Sequence, residues 1–419
     1  MNSFFNFSDE LNGLSKKVLN NCKEAFSTVD KITEYNQQRV LKSFIDNRVC
    51  EAHFAGSTGY GYGDAGRDVL DKVTADIFGA EDALIRHSFA SGTHTLSVML
   101  FGILRPGDSV LCATGTPYDT IHSVIGLNGD GMGSLKDFGV SFDIVELKKD
   151  GSVNLEEVEK KLHEKEYKVV YIQRSRGYTL RPSLTSPKIK EITDLVKAEC
   201  NAITMMDNCY GEFTEYETPT DAGVDIFAGS LIKNPGGGIA KCGGYIAGKK
   251  DLVELCSYRL TTPGIGKEVG ATLGNSRDIF MGLFNAPHVT GEAIKTAVFT
   301  AGIFEELGYE VTPKVNESRA DIIQCVKLQN RENLIAFCQG IQSGSPIDSF
   351  VSPEPWPMPG YDSGVIMAAG AFTNGSSIEL SADAPLREPY AVWLQGGLNF
   401  HSAKVGVMLG VQKVLDLKK

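Results

Sequence analysis

The chain has 419 residues, 42% of them hydrophobic, which is enough apolar material for two or three domains with packed cores. The formal net charge of −11 argues against a nucleic-acid-binding face and against a polybasic membrane patch, because both are normally basic. There is no apolar run near the ~20 residues of a membrane helix, no secretory leader and no metal-ligand spacing among the nine cysteines, so we predict a cytoplasmic protein with reduced thiols and no metal centre.

The N-terminal segment is predicted to be helical from residue 8 to residue 47. Ser8 can cap the first helix, because its hydroxyl can accept a free backbone N–H. We therefore predict an N-terminal helical arm over residues 1–58. The apolar side chains that recur on one helical face are Leu11, Leu14, Val18, Leu19, Cys22 and Phe26.

Short apolar runs then alternate with helical segments, which predicts a mainly parallel, seven-stranded sheet with helices on both faces. We assign this large domain to residues 59–290 and expect its functional site beyond the C-terminal ends of the strands. The predicted strands are 83–85, 109–113, 142–147, 168–173, 203–208, 225–230 and 243–248. The predicted helices between them are 67–78, 92–104, 154–165 and 187–199.

The pattern begins again after residue 290, which predicts a smaller C-terminal α/β domain over residues 291–419. Its predicted elements are a helix near 291–307, a strand near 320–327, a proline-rich loop at 352–360, a strand at 376–382 and a final helix at 401–416.

Lys233 follows a predicted strand and precedes a proline and three glycines in "GSLIKNPGGG". Glycines allow the backbone to approach a ligand closely. Desolvation at such a position depresses the pKa of a lysine and leaves a nucleophilic amine, which is what a Schiff base requires. We therefore predict that Lys233 holds pyridoxal phosphate.

Asp207 ends the apolar strand in "ITMMDNCYGEF". Taken alone, an aspartate at this position is more often a cap or a turn residue. A pyridoxal site, however, needs a carboxylate against the pyridine nitrogen, because a protonated ring is the electron sink of the reaction. Its place at a strand end near that of Lys233 therefore favours the cofactor role.

A phosphate cradle and a stacking ring are also predicted at strand ends. Ser91, Gly92 and Thr93 enter a helix, where free N–H groups and the helix dipole attract an anion, although a plain helix cap has the same sequence. Ser230 can add a hydroxyl to the same phosphate. Tyr118 can stack on the pyridine face.

These motifs, together with "TGYGYGDAGR", "QRSRGY" and "GGGIAKCGGYIAG", resemble the Cys/Met-metabolism group of pyridoxal-phosphate enzymes over roughly residues 55–390. More narrowly, they resemble the methionine γ-lyase-like, cystathionine β-lyase-like branch described as aluminium resistance proteins. The resemblance implies the aspartate-aminotransferase-like fold type I and a carbon–sulfur lyase that performs β- or γ-elimination on a sulfur-containing amino acid. It gives catalytic roles to Lys233, Asp207 and Tyr118, and implies a homodimer or homotetramer whose sites are shared between subunits.

The resemblance leaves two cofactor-binding assignments open. In the wider family a tyrosine and an arginine of a neighbouring subunit complete the phosphate site. The residue that holds the ring hydroxyl lies in a region where the usual "ESPxNP" motif is absent. The candidates are Tyr60, Tyr62 and Arg67 for the first role, and Gln173, Arg174 and Arg176 for the second.

The substrate carboxylate normally meets an arginine, whose planar guanidinium forms two hydrogen bonds with it. Arg387 lies in the right region, whereas the family's arginine generally lies earlier, where this chain has Glu379. Two alternatives to the lyase remain. One is another fold type I reaction (an aldolase, an aminotransferase or a desulfurase), and the other is a non-catalytic regulator that keeps the cofactor. The glycine run does not match a nucleotide-binding loop.

Overall fold

The N-terminal segment forms two helices, α1 (Asp9–Asn21) and α2 (Lys23–Asp46), as predicted. The computed structural model describes residues 4–357 and 363–418. The Ser8 hydroxyl accepts a hydrogen bond from the backbone N–H of Leu11 at 3.2 Å, which confirms the predicted cap. Within the described residues, no helix is both long and apolar enough to cross a bilayer.

The predicted seven-stranded sheet is confirmed. Its strand order is β1-β7-β6-β5-β4-β2-β3, and within the described sheet β7 alone runs antiparallel to the other strands. The third strand is shorter than predicted. The bounds are β1 (Asp82–Arg86), β2 (Ser109–Cys112), β3 (Ser141–Ile144), β4 (Val169–Gln173), β5 (Ile203–Asp207), β6 (Ile226–Ser230) and β7 (Gly244–Gly248).

Helices cover both faces of this sheet. Successive side chains of a strand point to opposite faces, so the apolar strands give the sheet two apolar faces that must both be buried. The bounds are α3 (Ala65–Phe78), α4 (Gly92–Ile103), α5 (Asp119–Ile125), α6 (Leu155–Glu164), α7 (Ser186–Glu199), α8 (Lys250–Leu260) and α9 (Ser276–Glu306). In β4, Val170 and Ile172 pack with α3, α6, α7 and α9, whereas Val169 and Tyr171 pack with α4, α5 and α8. The sequence patterns missed α5 and α8.

The C-terminal part forms a second, antiparallel sheet with the order β10-β11-β12-β9-β8. Helices α10 (Arg331–Ser343) and α11 (Phe400–Asp416) pack together beside it. The strands are β8 (Val311–Thr312), β9 (Gln324–Lys327), β10 (Val365–Ala369), β11 (Ser381–Pro385) and β12 (Ala391–Gln395).

Two predicted elements of this part are wrong. The strand predicted at 376–382 begins only at Ser381, because the preceding residues bend and the Glu379 carboxylate accepts the backbone N–H groups of Phe372 and Thr373 at 2.8 and 2.9 Å. The helix predicted to begin near residue 291 is the second half of α9, which begins at Ser276. The division of domains at residue 290 stays a prediction. Residues 358–360 of the predicted proline-rich loop lie outside the described residues.

Candidate active site

A cavity of about 180 Å³ lies beyond the C-terminal ends of β4, β5 and β6, where the second sheet closes over them. A larger cavity, of about 490 Å³ between α2 and residues 315–319, contains none of the predicted site residues, so we assign the site to the smaller one. The predicted site residues that line the smaller cavity are Gly92, Thr93, Tyr118, Gln173, Asp207, Ser230 and Lys233.

The Lys233 side chain is half-buried and lines this cavity. Its Nζ atom donates a hydrogen bond to Ser377 Oγ at 3.1 Å and lies 3.7 Å from the centroid of the Tyr210 ring. Burial lowers the pKa of Lys233, but its neighbours Tyr210, Cys209 and Asp207 outweigh burial, and the pKa lies above its ordinary value. The expectation of a depressed pKa is therefore wrong, because desolvation is not the only influence on the amine.

The glycines after Lys233 serve the packing of the chain rather than an approach to a ligand. A side chain at Gly236 would collide with the carbonyl of Leu231, where the backbone turns back on itself. At Gly237, which has a φ of +55°, a Cβ would lie 2.5 Å from the carbonyl oxygen of Gly282 in α9. The glycine run therefore allows the loop after Lys233 to pack closely against α9.

Asp207 ends β5, as predicted, and its carboxylate is buried. Its Oδ1 atom accepts the backbone N–H of Cys209 at 3.0 Å. Burial raises the pKa of Asp207, and the hydrogen bond from Cys209 and the positive charges of Lys233 and Arg181 offset only part of that effect. A cation facing this carboxylate would lower its pKa again, because it favours the charged form.

The start of α4 forms a cradle that fits a phosphate. The Ser91 hydroxyl caps α4 by accepting the N–H of His94 at 3.0 Å. The Ser230 hydroxyl is fully buried and has no hydrogen-bond partner among the described residues. A Cβ on Gly92 would lie 3.2 Å from the Cβ of Ser230, so any larger residue would narrow the space between them. An unpaired buried hydroxyl is costly, and an anion between these groups would satisfy it.

Tyr118 and Gln173 are joined at the wall of the cavity. The backbone N–H of Tyr118 donates to Gln173 Oε1 at 2.6 Å, and Gln173 Nε2 donates to the carbonyl of Ser175 at 3.1 Å. A Cβ on Gly177 would lie 3.1 Å from the Tyr118 ring, so this glycine lets the 175–178 segment pack closely behind the ring. That Tyr118 stacks on the cofactor and Gln173 holds its ring hydroxyl stays a prediction.

The two arginines beside Gln173 have partners away from the cavity lining. Arg174 donates to Asn208 Oδ1 at 2.9 Å and pairs with Glu215 at 2.5 Å. Arg176 donates to the Thr312 carbonyl at 2.9 Å. Its Nε atom lies 3.8 Å from the carboxylate of Asp321. Of the three candidates for the ring hydroxyl, Gln173 is therefore the one that the geometry favours.

Arg387 lies on the turn between β11 and β12, where its side chain is exposed and outside the cavity lining. Its role in binding the substrate carboxylate stays a prediction that the geometry of one chain does not support. Glu379 cannot take that role, because its carboxylate would repel an anionic substrate group; it closes the 372–379 loop instead.

The "GYGYGDAGR" segment divides into a buried and an exposed part. The Arg67 guanidinium donates to the carbonyls of Gly61 and Gly270 at 2.8 and 3.3 Å, so its charge serves the loop itself. Tyr60 and Tyr62 are 73% and 67% exposed, and their rings lie 5.5 Å apart. Neither tyrosine lines the cavity of its own chain.

Four residues near the lysine carried no role in the sequence analysis. Ser377 and Gln395 lie far along the chain from the lysine, so no local spacing points to them, whereas Tyr178 ends the "QRSRGY" motif that the sequence already offered. Tyr210 lies three residues after Asp207, within a motif that was already singled out, and this position was the available signal.

Glu212 lies behind the site and is 1% exposed. Its Oε1 atom accepts a hydrogen bond from Tyr245 at 2.9 Å, and Oε2 has no partner among the described residues. Burial raises its pKa from 4.5 to about 8. A folded state with a raised carboxyl pKa loses stability as the pH rises through that window, because the unfolded chain releases its proton first.

We therefore expect Glu212→Gln to stabilise the protein increasingly between about pH 5 and about pH 8, and by a constant amount above that. The gain should reach a few kcal/mol, or several degrees in Tm, and thermal unfolding across this pH range measures it. Glu217→Gln, an exposed change in the same segment, is the matched control. A gain for Glu212→Gln of equal size at pH 5 and pH 8 would contradict the expectation.

A mainly parallel seven-stranded sheet, with a lysine and an aspartate at strand ends under a smaller sheet, is the fold type I architecture predicted from sequence. The pyridoxal-5'-phosphate dependent protein YhfS from Escherichia coli shares this fold at 13% identity, with a TM-score of 0.64 over 93% of this chain and 97% of its own. Residues 11–415 match the methionine gamma-lyase family. The chain belongs to the methionine gamma-lyase family.

Similar proteins cover nearly the whole chain. The protein YnbB of Bacillus subtilis (strain 168) is 49% identical over 390 residues, which are 93% of this chain and 92% of that protein. The structure of a carbon-sulfur lyase involved in aluminum resistance from Clostridium novyi NT is 53% identical, with a TM-score of 0.94 over 97% of this chain and 96% of that chain. A structure from Clostridium acetobutylicum is 49% identical, with a TM-score of 0.95 over 97% of this chain and 96% of that chain. Its name proposes a cystathionine beta-lyase involved in aluminum resistance.

Proposed function

We propose that the protein is a pyridoxal-phosphate-dependent carbon–sulfur lyase that acts on a small sulfur-containing amino acid by β- or γ-elimination. The observation that carries the proposal is one cavity lined by the Lys233 amine, the Asp207 carboxylate and the Ser230 hydroxyl, which has no hydrogen-bond partner in the described part of the chain. The lyase names of the two Clostridium relatives support the same reaction class.

The residues present fit pyridoxal phosphate. Lys233 would hold its aldehyde carbon and Asp207 its ring nitrogen, with Tyr118 against the ring face. The backbone N–H groups of α4, which begins with Gly92, would hold its phosphate together with the Ser230 hydroxyl. When bound, the cofactor supplies an electron sink for bonds broken at the substrate Cα.

The chain's own groups then have defined tasks. The substrate amine takes the place of the Lys233 amine, which would otherwise hold the cofactor. The Nζ atom of Lys233 is then free to take the proton from the substrate Cα. The Asp207 carboxylate stays ionised and keeps a facing nitrogen protonated, because opposite charges at short range favour both charged forms. The Tyr118 hydroxyl donates a proton to the departing sulfur. The sulfur leaves as a thiol, and one water hydrolyses the remaining imine to ammonia and a keto acid.

We also propose that the site is completed in a homodimer or homotetramer. The support is that Tyr60 and Tyr62 are exposed on a loop that is tied to its own chain. The Gly270 N–H donates to the Tyr60 carbonyl at 2.9 Å, and Arg67 donates to the Gly61 carbonyl. Because this loop is already fixed, the two tyrosine side chains can contact a neighbouring subunit without the entropic cost of ordering the loop.

A substrate panel tests the lyase proposal. The protein is loaded with pyridoxal phosphate and given cystathionine, cysteine and methionine, and keto acid, thiol or sulfide, and aldehyde are measured. We expect keto acid and thiol or sulfide in equal amounts from at least one substrate. Aldehyde would indicate an aldolase, keto acid without thiol an aminotransferase, and alanine with released sulfur a desulfurase. A loaded protein with no turnover would support a non-catalytic regulator instead.

A further inference from the structure

Tyr210 has a backbone conformation that is unfavourable for its residue type. Its φ is +70°, in the left-handed region where residues with a Cβ are strained. Such strain persists only where surrounding contacts enforce it, and it concentrates at functional sites. The conformation therefore raises the question of what the position of this ring achieves.

Two hydrogen bonds from one side chain hold the strained segment. Asn234 Nδ2 donates to the carbonyl of Tyr210 at 2.9 Å and to the carbonyl of Glu212 at 3.0 Å. Asn234 is fully buried and directly follows Lys233. The backbone beside the lysine is therefore tied to the backbone of the tyrosine, and the two residues keep a fixed relation.

The ring of Tyr210 lies against the lysine amine. Lys233 Nζ is 3.7 Å from the ring centroid, well within the range in which an ammonium is attracted to an aromatic face. The ring also packs against a cluster of buried residues of the second-sheet region that includes Trp393 and Ile323. A cation–aromatic contact is stronger when it is desolvated.

We propose that the face of the Tyr210 ring binds and stabilises the protonated amine of Lys233, and that Tyr210 is therefore a catalytic residue. The inference rests on the proposed function. In the step concerned, the substrate Cα–H bond breaks, its proton forms a new N–H bond on Nζ, and its electron pair stays with the substrate and cofactor. The ring then stabilises the positive charge that appears on Nζ.

Other groups also face this amine. They are Asp207 and Cys209 from the β5 end and Asp383 from β11, and the Ser377 hydroxyl accepts its hydrogen bond. Burial raises the pKa of the Cys209 thiol well above its ordinary value, so the thiol is uncharged near neutrality. These groups are the same in every Tyr210 variant, so a comparison of variants isolates the ring.

The test uses the full chain freed of cofactor and mixed with pyridoxal phosphate over a range of pH. The rate at which the visible band of lysine-bound cofactor grows follows the fraction of unprotonated amine. Tyr210→Phe keeps the ring face and removes only the hydroxyl, which itself helps raise the pKa of Lys233, so its pH midpoint should fall less than that of Tyr210→Leu. Tyr210→Leu should lower the midpoint by about one unit, which makes loading below the midpoint about tenfold faster. Its kcat on the sulfur substrate should fall about tenfold, with KM little changed.

A fluorinated series covers the case in which Tyr210→Leu does not fold. Phenylalanines with increasing fluorination at position 210 keep the shape of the ring but weaken its face, so the midpoint should fall stepwise. An unchanged midpoint across the series, or an equal shift in Tyr210→Phe, would overturn the proposal. Failure of the proposed function is distinguishable: a different reaction class would keep the band and its midpoints and change only the products of the substrate panel, and a wrong cofactor assignment would leave the wild-type protein without the band at any pH.

Discussion

Lys233→Ala is expected to abolish the visible band of lysine-bound pyridoxal phosphate and to lower keto-acid production by at least about 1000-fold. The loss is large because one amine has two tasks, as the covalent anchor of the cofactor and as the base for the Cα proton. Absorbance of the loaded protein and the keto-acid assay on the preferred substrate measure the two effects separately.

Lys241 provides the matched control, because it lies in the same glycine-rich run but its side chain is 74% exposed and pairs with Asp278. Lys241→Ala should keep both the band and the activity. Borohydride reduction followed by peptide mapping should place the cofactor on Lys233 in the wild-type protein. A label on another lysine would contradict the assignment.

Asp207→Asn should lower kcat by about 100- to 1000-fold while the protein still folds. Asparagine has the same shape and can accept the Cys209 N–H through Oδ1, but it has no charge to keep a facing ring nitrogen protonated. Breaking one buried charge pair costs roughly 3–5 kcal/mol, and the lower part of that range, about 3–4 kcal/mol, corresponds to the expected loss in rate. Steady-state kinetics of the loaded protein measure it.

Asp225 is the control for Asp207, since it is an equally buried aspartate that directly precedes β6, at the opposite ends of the strands from the site. Its carboxylate accepts the Thr204 N–H and hydroxyl, each at 2.8 Å, and pairs with Lys249. Asp225→Asn should lower stability and leave kcat per folded molecule unchanged. Full kcat in Asp207→Asn, or an equal loss in both variants, would count against the role of Asp207.

The large sheet was predictable because buried parallel strands read as continuous apolar runs between helical segments. The second sheet was not. "SSIELSA" alternates like a strand, yet Glu379 turns its carboxylate to the backbone of its own loop and ends the pattern. The competing influence is a local side chain-to-backbone hydrogen bond, which residue type alone does not reveal.

The candidate site was also predictable only in part. Lys233, Asp207 and Ser230 were predictable because the ends of parallel strands meet at one edge of the sheet. Arg174 and Arg176 have the right chemistry for a ligand, but partners far away in sequence occupy their guanidinium groups. No spacing rule could distinguish these structural arginines from binding residues.

The strand order also sets when the protein can fold during synthesis. β1 is an edge strand, and its pairing partner β7 is made much later, with Arg86 opposite Gly244. A nascent chain that stops before residue 244 therefore presents β1 with an open backbone edge and an uncovered apolar face, which invites association with other chains. Ribosome-bound fragments should become resistant to protease only after the residues of β7 have left the exit tunnel.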